Sequence, residues 1–195
     1  MQHRLRRRWW VLGIAACVAL AACEPPRRAR VGSTVAADED RLDWASEEPW
    51  FIVVRTSCRT LDVYWHGDRV RSYDAVFGLG GKSGKLHEGD RRTPTGLYSI
   101  VDIREHPRWQ RFMLLDYPNL GDVHRYWLAM ESGRIPLEGK GYAGVGGAVG
   151  IHGTDKPWLN ERGVDWTWGC ISLAPSDIVD LAGLVPVGTP VLIED

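Results

Sequence analysis

Cys170 lies in Asp165-Trp166-Thr167-Trp168-Gly169-Cys170-Ile171-Ser172-Leu173, eighteen positions after His152 of Gly150-Ile151-His152-Gly153-Thr154. A thiol becomes a strong nucleophile only once a base has made it a thiolate. Neighbouring glycines let backbone amides approach a substrate oxyanion. Together these parts predict acyl transfer: an amide-type bond cut or exchanged through a thioester on Cys170, with His152 as its base. Taken singly, a histidine of this kind is usually structural and a buried cysteine usually inert; it is their joint occurrence that points to catalysis. The amides of Gly169 and Cys170 are the expected oxyanion donors. Gly153 or Thr154 is expected to orient His152 through a backbone or hydroxyl oxygen, with Asp155 and Asp165 as alternatives. Tyr142, Trp168 and Ser172 are candidate substrate contacts. Trp158, Trp166 and Trp168 could stack on sugar or peptide, although packing is the more ordinary role of each.

Eighteen positions exceed a helix turn, so the pair must meet by folding, from two strand ends that face each other. The interval Thr154 to Thr167 is polar, holds Pro157 and Gly163, and reads as a loop. From Trp50 onward the pattern is mostly that of strands. Phe51-Ile52-Val53-Val54 is a β-branched run, Leu61 to Trp65 alternates, His66-Gly67-Asp68 turns, and Arg69 to Phe77 returns as the partner strand. Thr95 to Val101, Arg125 to Met130 and Thr189 to Ile193 read as further strands. Gly78–Gly89 and Gly139–Gly153 are glycine-rich loops. One good helix begins near Pro175, with Asp177 in its first turn, an apolar face of Ile178, Val179, Leu181 and Ala182, and Gly183 to end it.

The chain has 195 residues, 44% hydrophobic and 25% charged, enough to build one real core. Four arginines, and no acid, lie in the first 22 residues. Setting them aside leaves 20 basic against 25 acidic residues, a net of −5 with neutral histidines. That balance argues against nucleic acid as a partner. Gly139-Lys140-Gly141-Tyr142-Ala143-Gly144 fits G-x-G-x-x-G, but neither a clear strand before it nor a helix after it supports nucleotide binding. No paired Cys or His spacing suggests a metal, and no cofactor is implied. Cys58, in Arg55-Thr56-Ser57-Cys58-Arg59-Thr60, reads as an incidental turn residue; a disulfide to Cys170 is the alternative. Lys82, Lys85 and Arg91 form a basic group expected on a solvated loop face. His66, His87, His106 and His124 read as surface or turn residues.

The N-terminus is a targeting segment. Arg4 to Arg8 form a basic stretch, Trp9 to Ala19 an apolar one too short to span a bilayer comfortably, and Leu20-Ala21-Ala22-Cys23 resembles a bacterial lipobox. That resemblance implies a signal peptide over residues 1–22, cleavage before Cys23, lipidation of Cys23 and a firm membrane anchor. By resemblance to enterobacterial lipoprotein sorting, Glu24 after the cysteine implies the outer membrane. Residues 23–49, with Glu24-Pro25-Pro26-Arg27-Arg28-Ala29-Arg30 and Ala37-Asp38-Glu39-Asp40, show no apolar period and read as a flexible tether. Residues 50–195 are then the catalytic domain, held in the periplasm.

The His-Gly-Thr of 152–154, the Thr167-Trp168-Gly169-Cys170-Ile171 run and Gly89-Asp90-Arg91-Arg92-Thr93-Pro94-Thr95-Gly96-Leu97-Tyr98 resemble, in order and spacing, the L,D-transpeptidase catalytic domain (YkuD) family. The likeness extends from about Phe51 to Ile193. It implies a mainly β fold, a β-sandwich with long loops and one or two short helices. It also implies a substrate, the peptidoglycan stem peptide. A D-amino acid leaves, a thioester forms at the L-centre of the diamino acid, and an acceptor amine (a stem peptide, a D-amino acid or a protein lysine) resolves it. Two departures stand out. The family often has His two residues before the nucleophile, where this chain has Trp168, and Arg or Asn two residues after it, where this chain has Ser172. A peptidoglycan-directed amide hydrolase of the same fold, and a non-catalytic cell-wall-binding lipoprotein, are the competing readings.

Overall fold

The computed structural model describes residues 49–195 apart from 82 and 83. The expected signal peptide of residues 1–22, the expected lipidation at Cys23 and nearly all of the expected 23–49 tether lie outside the described residues. Eight strands form one curled sheet in the order β3-β2-β1-β10-β4-β5-β8-β9. Strands β1 (Trp50–Arg55), β2 (Thr60–Trp65) and β3 (Asp68–Asp74) form the antiparallel start, and the tight turn at His66-Gly67 joins the last two. Strand β10 (Pro190–Glu194) returns parallel to β1 and hands the sheet to β4 (Gly96–His106). Strand β4 is eleven residues long and shifts register between Ile100 and Asp102. A bulge of this kind bends a strand, so the two ends of β4 serve two halves of the curled sheet. Beyond it come β5 (Gln110–Leu115), β8 (Gly150–His152) and β9 (Ile171–Ser172). An antiparallel bridge between Val76 and Ser172 ties the free edge beyond β3 to β9.

The curl encloses one core. Ile52, Val54, Leu61 and Val63 from the first half meet Ile100, Met113, Leu115, Ile151 and Ile171 from the second. All are at most 1% exposed, so each contributes roughly 1.5–3 kcal/mol by burial. This is the mainly β sandwich-like architecture expected from the sequence. Helix α3 (Pro175–Leu184) covers one end through Ile178 and Leu181. Its Val179 faces solvent instead, and Gly183 sits inside the last turn rather than ending it.

Three stretches differ from expectation. Arg125 to Met130, expected as a strand, belongs to helix α1 (Leu120–Glu131). Asn119 caps its first turn and exchanges a reciprocal pair of hydrogen bonds with Asp122, and Asp122 and Ala129 are buried a whole number of turns apart. That capping box outweighs the aromatic, strand-like composition. The interval Thr154 to Thr167 carries a short helix, α2 (Pro157–Glu161), started by its proline. Residues Leu137–Glu138 (β6) and Gly141–Tyr142 (β7) form a separate two-stranded ribbon, with Gly139 at φ +61° in its turn. The G-x-G-x-x-G stretch is therefore a hairpin and opens no helix.

Candidate active site

Strands β8 and β9 run parallel, with Ile151 opposite Ile171 and His152 opposite Ser172. Successive side chains of a strand alternate faces. Ile151 and Ile171 enter the core, so His152 and Ser172 share the other face, and Cys170 immediately precedes β9. The interval that links the strands, with α2, crosses over this face. Two glycines allow the close packing. A Cβ on Gly150 would lie 2.5 Å from Met113 O and 2.8 Å from the Phe112 ring, and one on Gly153 would lie 2.5 Å from Trp109 O.

His152 is 2% exposed. Its ring stacks on Trp109 at 4.2 Å between centroids, lies parallel to Phe112 at 6.0 Å, and meets Trp166 edge-on at 5.8 Å. Nδ1 is 2.6 Å from Gly153 O. A carbonyl only accepts, so Nδ1 carries the proton. Burial among these rings pushes the imidazole pKa down to about 4, against the opposing pull of the Gly153 hydrogen bond. At neutral pH the ring is uncharged, and Nε2 is an unprotonated base. Of the expected orienting groups, Gly153 supplies the oxygen. Thr154 does not, because its Oγ1 accepts from Lys156 N at 2.8 Å, nor does Asp155, which pairs with Arg108 at 2.7 Å, nor Asp165, which pairs with Arg59 at 2.6 Å.

Cys170 is half-buried, and its thiol is free, so the alternative disulfide to Cys58 does not form. Cys58 lies in the β1–β2 turn as expected. The Cys170 Sγ–H donates to Ala148 O at 3.8 Å. Burial raises the thiol pKa, against smaller opposite effects of the Gly150 backbone and the Lys85 ammonium. The resting pair is thus a neutral thiol and a neutral imidazole rather than an ion pair. Among the described residues no hydrogen bond joins the two.

Gly169 holds φ +132°, and a Cβ there would come 2.7 Å from Arg92 O. Its N–H is already taken by Thr167 Oγ1 at 3.2 Å, which removes it from the expected oxyanion donors and leaves the Cys170 amide. Trp168 is 73% exposed, two residues before Cys170, with the Arg91 guanidinium 5.1 Å from its ring centroid. Tyr142 and Trp158 are exposed. Ser172, expected to contact substrate, is instead fully buried. Its Oγ is 3.3 Å from Gly153 O and 3.1 Å from Asn160 Nδ2.

Lys85 also departs from expectation. It is buried, 2.8 Å from Asp90, with both side chains 6% exposed. Burial alone would raise Asp90, but Lys85 and the amides of Arg92, Leu86 and His87 hold its carboxyl below the usual range. This pair fixes the loop that backs Gly169. Trp109, Asn160 and Lys85 were not legible as site residues. Trp109 precedes a strand that no alternation announced, and Asn160 was one polar residue in an apparent loop.

Among the described residues no cluster of three or more His, Cys, Asp and Glu is placed to hold a metal ion. The family model described as the L,D-transpeptidase catalytic domain (YkuD) matches residues 48–193. A protein of Bacillus licheniformis named as a YkuD-type L,D-transpeptidase is 29% identical over 123 residues, 62% of this chain and 65% of its own. The chain thus spans just under two thirds of that relative. Two of the solved structures that share the fold illustrate the likeness. Pgp2 of Campylobacter jejuni, described as a helical cell shape determining protein, aligns with a TM-score of 0.53 at 22% identity over 75% of this chain and 47% of that one. An L,D-transpeptidase of Xylanimonas cellulosilytica aligns with a TM-score of 0.50 at 16% identity over 75% and 60%.

Proposed function

Because this chain belongs to the L,D-transpeptidase catalytic domain family, we propose that it is a peptidoglycan L,D-transpeptidase in which Cys170 carries the acyl group as a thioester. The observation that supports this most directly is the parallel β8–β9 pair. His152 stands opposite Ser172, the Cys170 thiol lies beside Ala148 and the Gly150 backbone at the start of β8, and with the Nδ1 proton on Gly153 O the base of His152 is Nε2. A stem peptide seated on Cys170 brings thiol and ring together. His152 Nε2 takes the thiol proton as sulfur attacks the carbonyl, forming the S–C bond. The oxyanion rests on the Cys170 amide, a donor of a kind whose loss typically costs ~2.7–4 kcal/mol. The C–N bond then breaks, and the imidazolium gives its proton to the departing D-amino acid. An acceptor amine repeats the steps in reverse: it attacks the thioester, loses a proton to Nε2, and the thiolate leaves and is reprotonated.

The depressed imidazole pKa suits this cycle, since Nε2 is available for protons across the neutral range. Trp168 and Arg91 present an aromatic and cationic surface at the mouth of the site, where a stem-peptide carboxylate would bind. The lipobox-like Leu20–Cys23 supports a periplasmic protein anchored through Cys23 to a membrane, the outer one by the Glu24 that follows.

The test is mass spectrometry of muropeptides incubated with the wild type and with Cys170→Ala. New cross-linked or D-amino-acid-exchanged products with the wild type alone are expected. Shortened stems that stay unchanged when a D-amino acid is added would show that water resolves the thioester and that the protein is a hydrolase. No change in any muropeptide would end the enzymatic reading.

A further inference from the structure

Four side chains and one carbonyl form a continuous chain behind His152. Trp166 Nε1 is 3.1 Å from Asn160 Oδ1, Asn160 Nδ2 is 3.1 Å from Ser172 Oγ, Ser172 Oγ is 3.3 Å from Gly153 O, and Gly153 O is 2.6 Å from His152 Nδ1. Every proton in it has a fixed place. An indole N–H only donates, so the Asn160 oxygen must face Trp166 and its NH2 must face Ser172. The Ser172 oxygen accepts from that NH2, which leaves its single proton for Gly153 O. The carbonyl then receives two donors, the Ser172 hydroxyl and His152 Nδ1–H. We propose that Trp166, Asn160 and Ser172 are positioning residues that fix the Gly153 carbonyl and, through it, the orientation and tautomer of His152.

Burial supports this assignment. Ser172 is 0% exposed and Asn160 8% exposed, so water competes little for their polar atoms. Asn160 Nδ2 is held a second time by Ser172 O at 3.1 Å. The Gly153 peptide is pinned on its other side, where its N–H donates to Trp109 O at 3.1 Å. Chains of hydrogen bonds polarise one another, so the Asn160 donation strengthens the Ser172 donation. Ser172 stands where the family resemblance leads one to expect a longer Arg or Asn side chain. Here a short hydroxyl and an asparagine from α2 together fill that place.

The inference rests on His152 acting as the base of the proposed reaction, and its test separates the two. Long-range proton–nitrogen correlation spectra of the full chain at pH 7 report the His152 tautomer without any turnover. The wild type should show Nδ1 protonated and Nε2 bare. Ser172→Ala should show mixed tautomers, and its rate of Cys170 acylation by imipenem, followed by intact mass, should fall about tenfold or more. Asn160→Asp should do the same, because a carboxylate there would draw the Ser172 proton off Gly153. Trp166→Phe keeps an aromatic ring but lacks the N–H, and its effect should vanish in a Ser172→Ala background, since members of one chain are not additive. A Ser172→Ala protein with an unchanged tautomer and acylation rate would overturn the proposal, as would additive effects of Trp166→Phe and Ser172→Ala. A wild type inert toward muropeptides would sink the transferase reading while leaving the tautomer result to stand on its own.

Discussion

Trp109 lies nearly flat on His152, with ring centroids 4.2 Å apart and planes 21° from parallel. The indole covers one face of the imidazole and excludes water from it. This desolvation is the main reason the imidazole pKa falls to about 4. Replacing Trp109 with Ala should hydrate the ring and move its pKa back toward the ordinary value of about 6.5. An NMR titration of His152 in the two proteins would show it. A pKa that stays near its wild-type value in Trp109→Ala would mean that Phe112 and Trp166 suffice.

The same shift makes stability depend on pH. The folded pKa of His152 lies below the unfolded one, so the unfolded chain binds the proton more readily. The contribution is fully present above about pH 6.5 and is lost as pH falls toward 4, to the extent of roughly 3 kcal/mol. His152→Gln should remove this dependence. Denaturation midpoints at pH 7 and pH 4.5 should differ less for the variant than for the wild type.

Lys85 and Asp90 form a buried pair at 2.8 Å. Lys85→Met leaves the Asp90 charge buried without its partner and should cost roughly 3–5 kcal/mol. It also removes a positive charge that lowers the Cys170 pKa. Alkylation of Cys170 by iodoacetamide should therefore need a higher pH in the variant. Replacing both residues with apolar ones should cost less than Lys85→Met alone.

Gly169 is confined by its φ of +132° and by the Arg92 carbonyl, which would stand 2.7 Å from any Cβ. Gly169→Ala should destabilise the fold by at least about 2 kcal/mol and displace the nucleophile. Thermal unfolding and imipenem acylation measured together would test this. A stable protein with normal acylation would show that the 90–92 segment yields easily.

Much of this was legible in the residues. The first hairpin, the closing strand β10 and the helix at Pro175 followed from alternation, turn chemistry and an early proline, whereas the parallel pairing of β10 with β1 did not. Cys170 and His152 stood out by type and context, and the pairing of β8 with β9 brings the segments that carry them side by side. What escaped was non-local. Arg125 to Met130 looks like a strand until Asn119 and Asp122 are read as a cap. Ser172 looked like a substrate contact because its burial under α2 depends on where the 154–167 connection crosses, and no local pattern encodes that. Lys85 looked solvated because its partner, Asp90, is recognised only when the loop folds back on itself.

The bridge between Val76 and Ser172 ties assembly to reactivity. Ser172 N–H donates to Val76 O at 2.9 Å, and Val76 N–H donates to Ser172 O at 3.0 Å. The segment that follows the opening hairpin therefore clamps the residue behind the base from outside. On the proposed mechanism, a molecule in which residues 50–76 have not yet docked should hold the Cys170 sulfur without a correctly aimed proton acceptor. Incomplete copies should for that reason be chemically quiet, with competence arriving only when the two borders of the sheet have met.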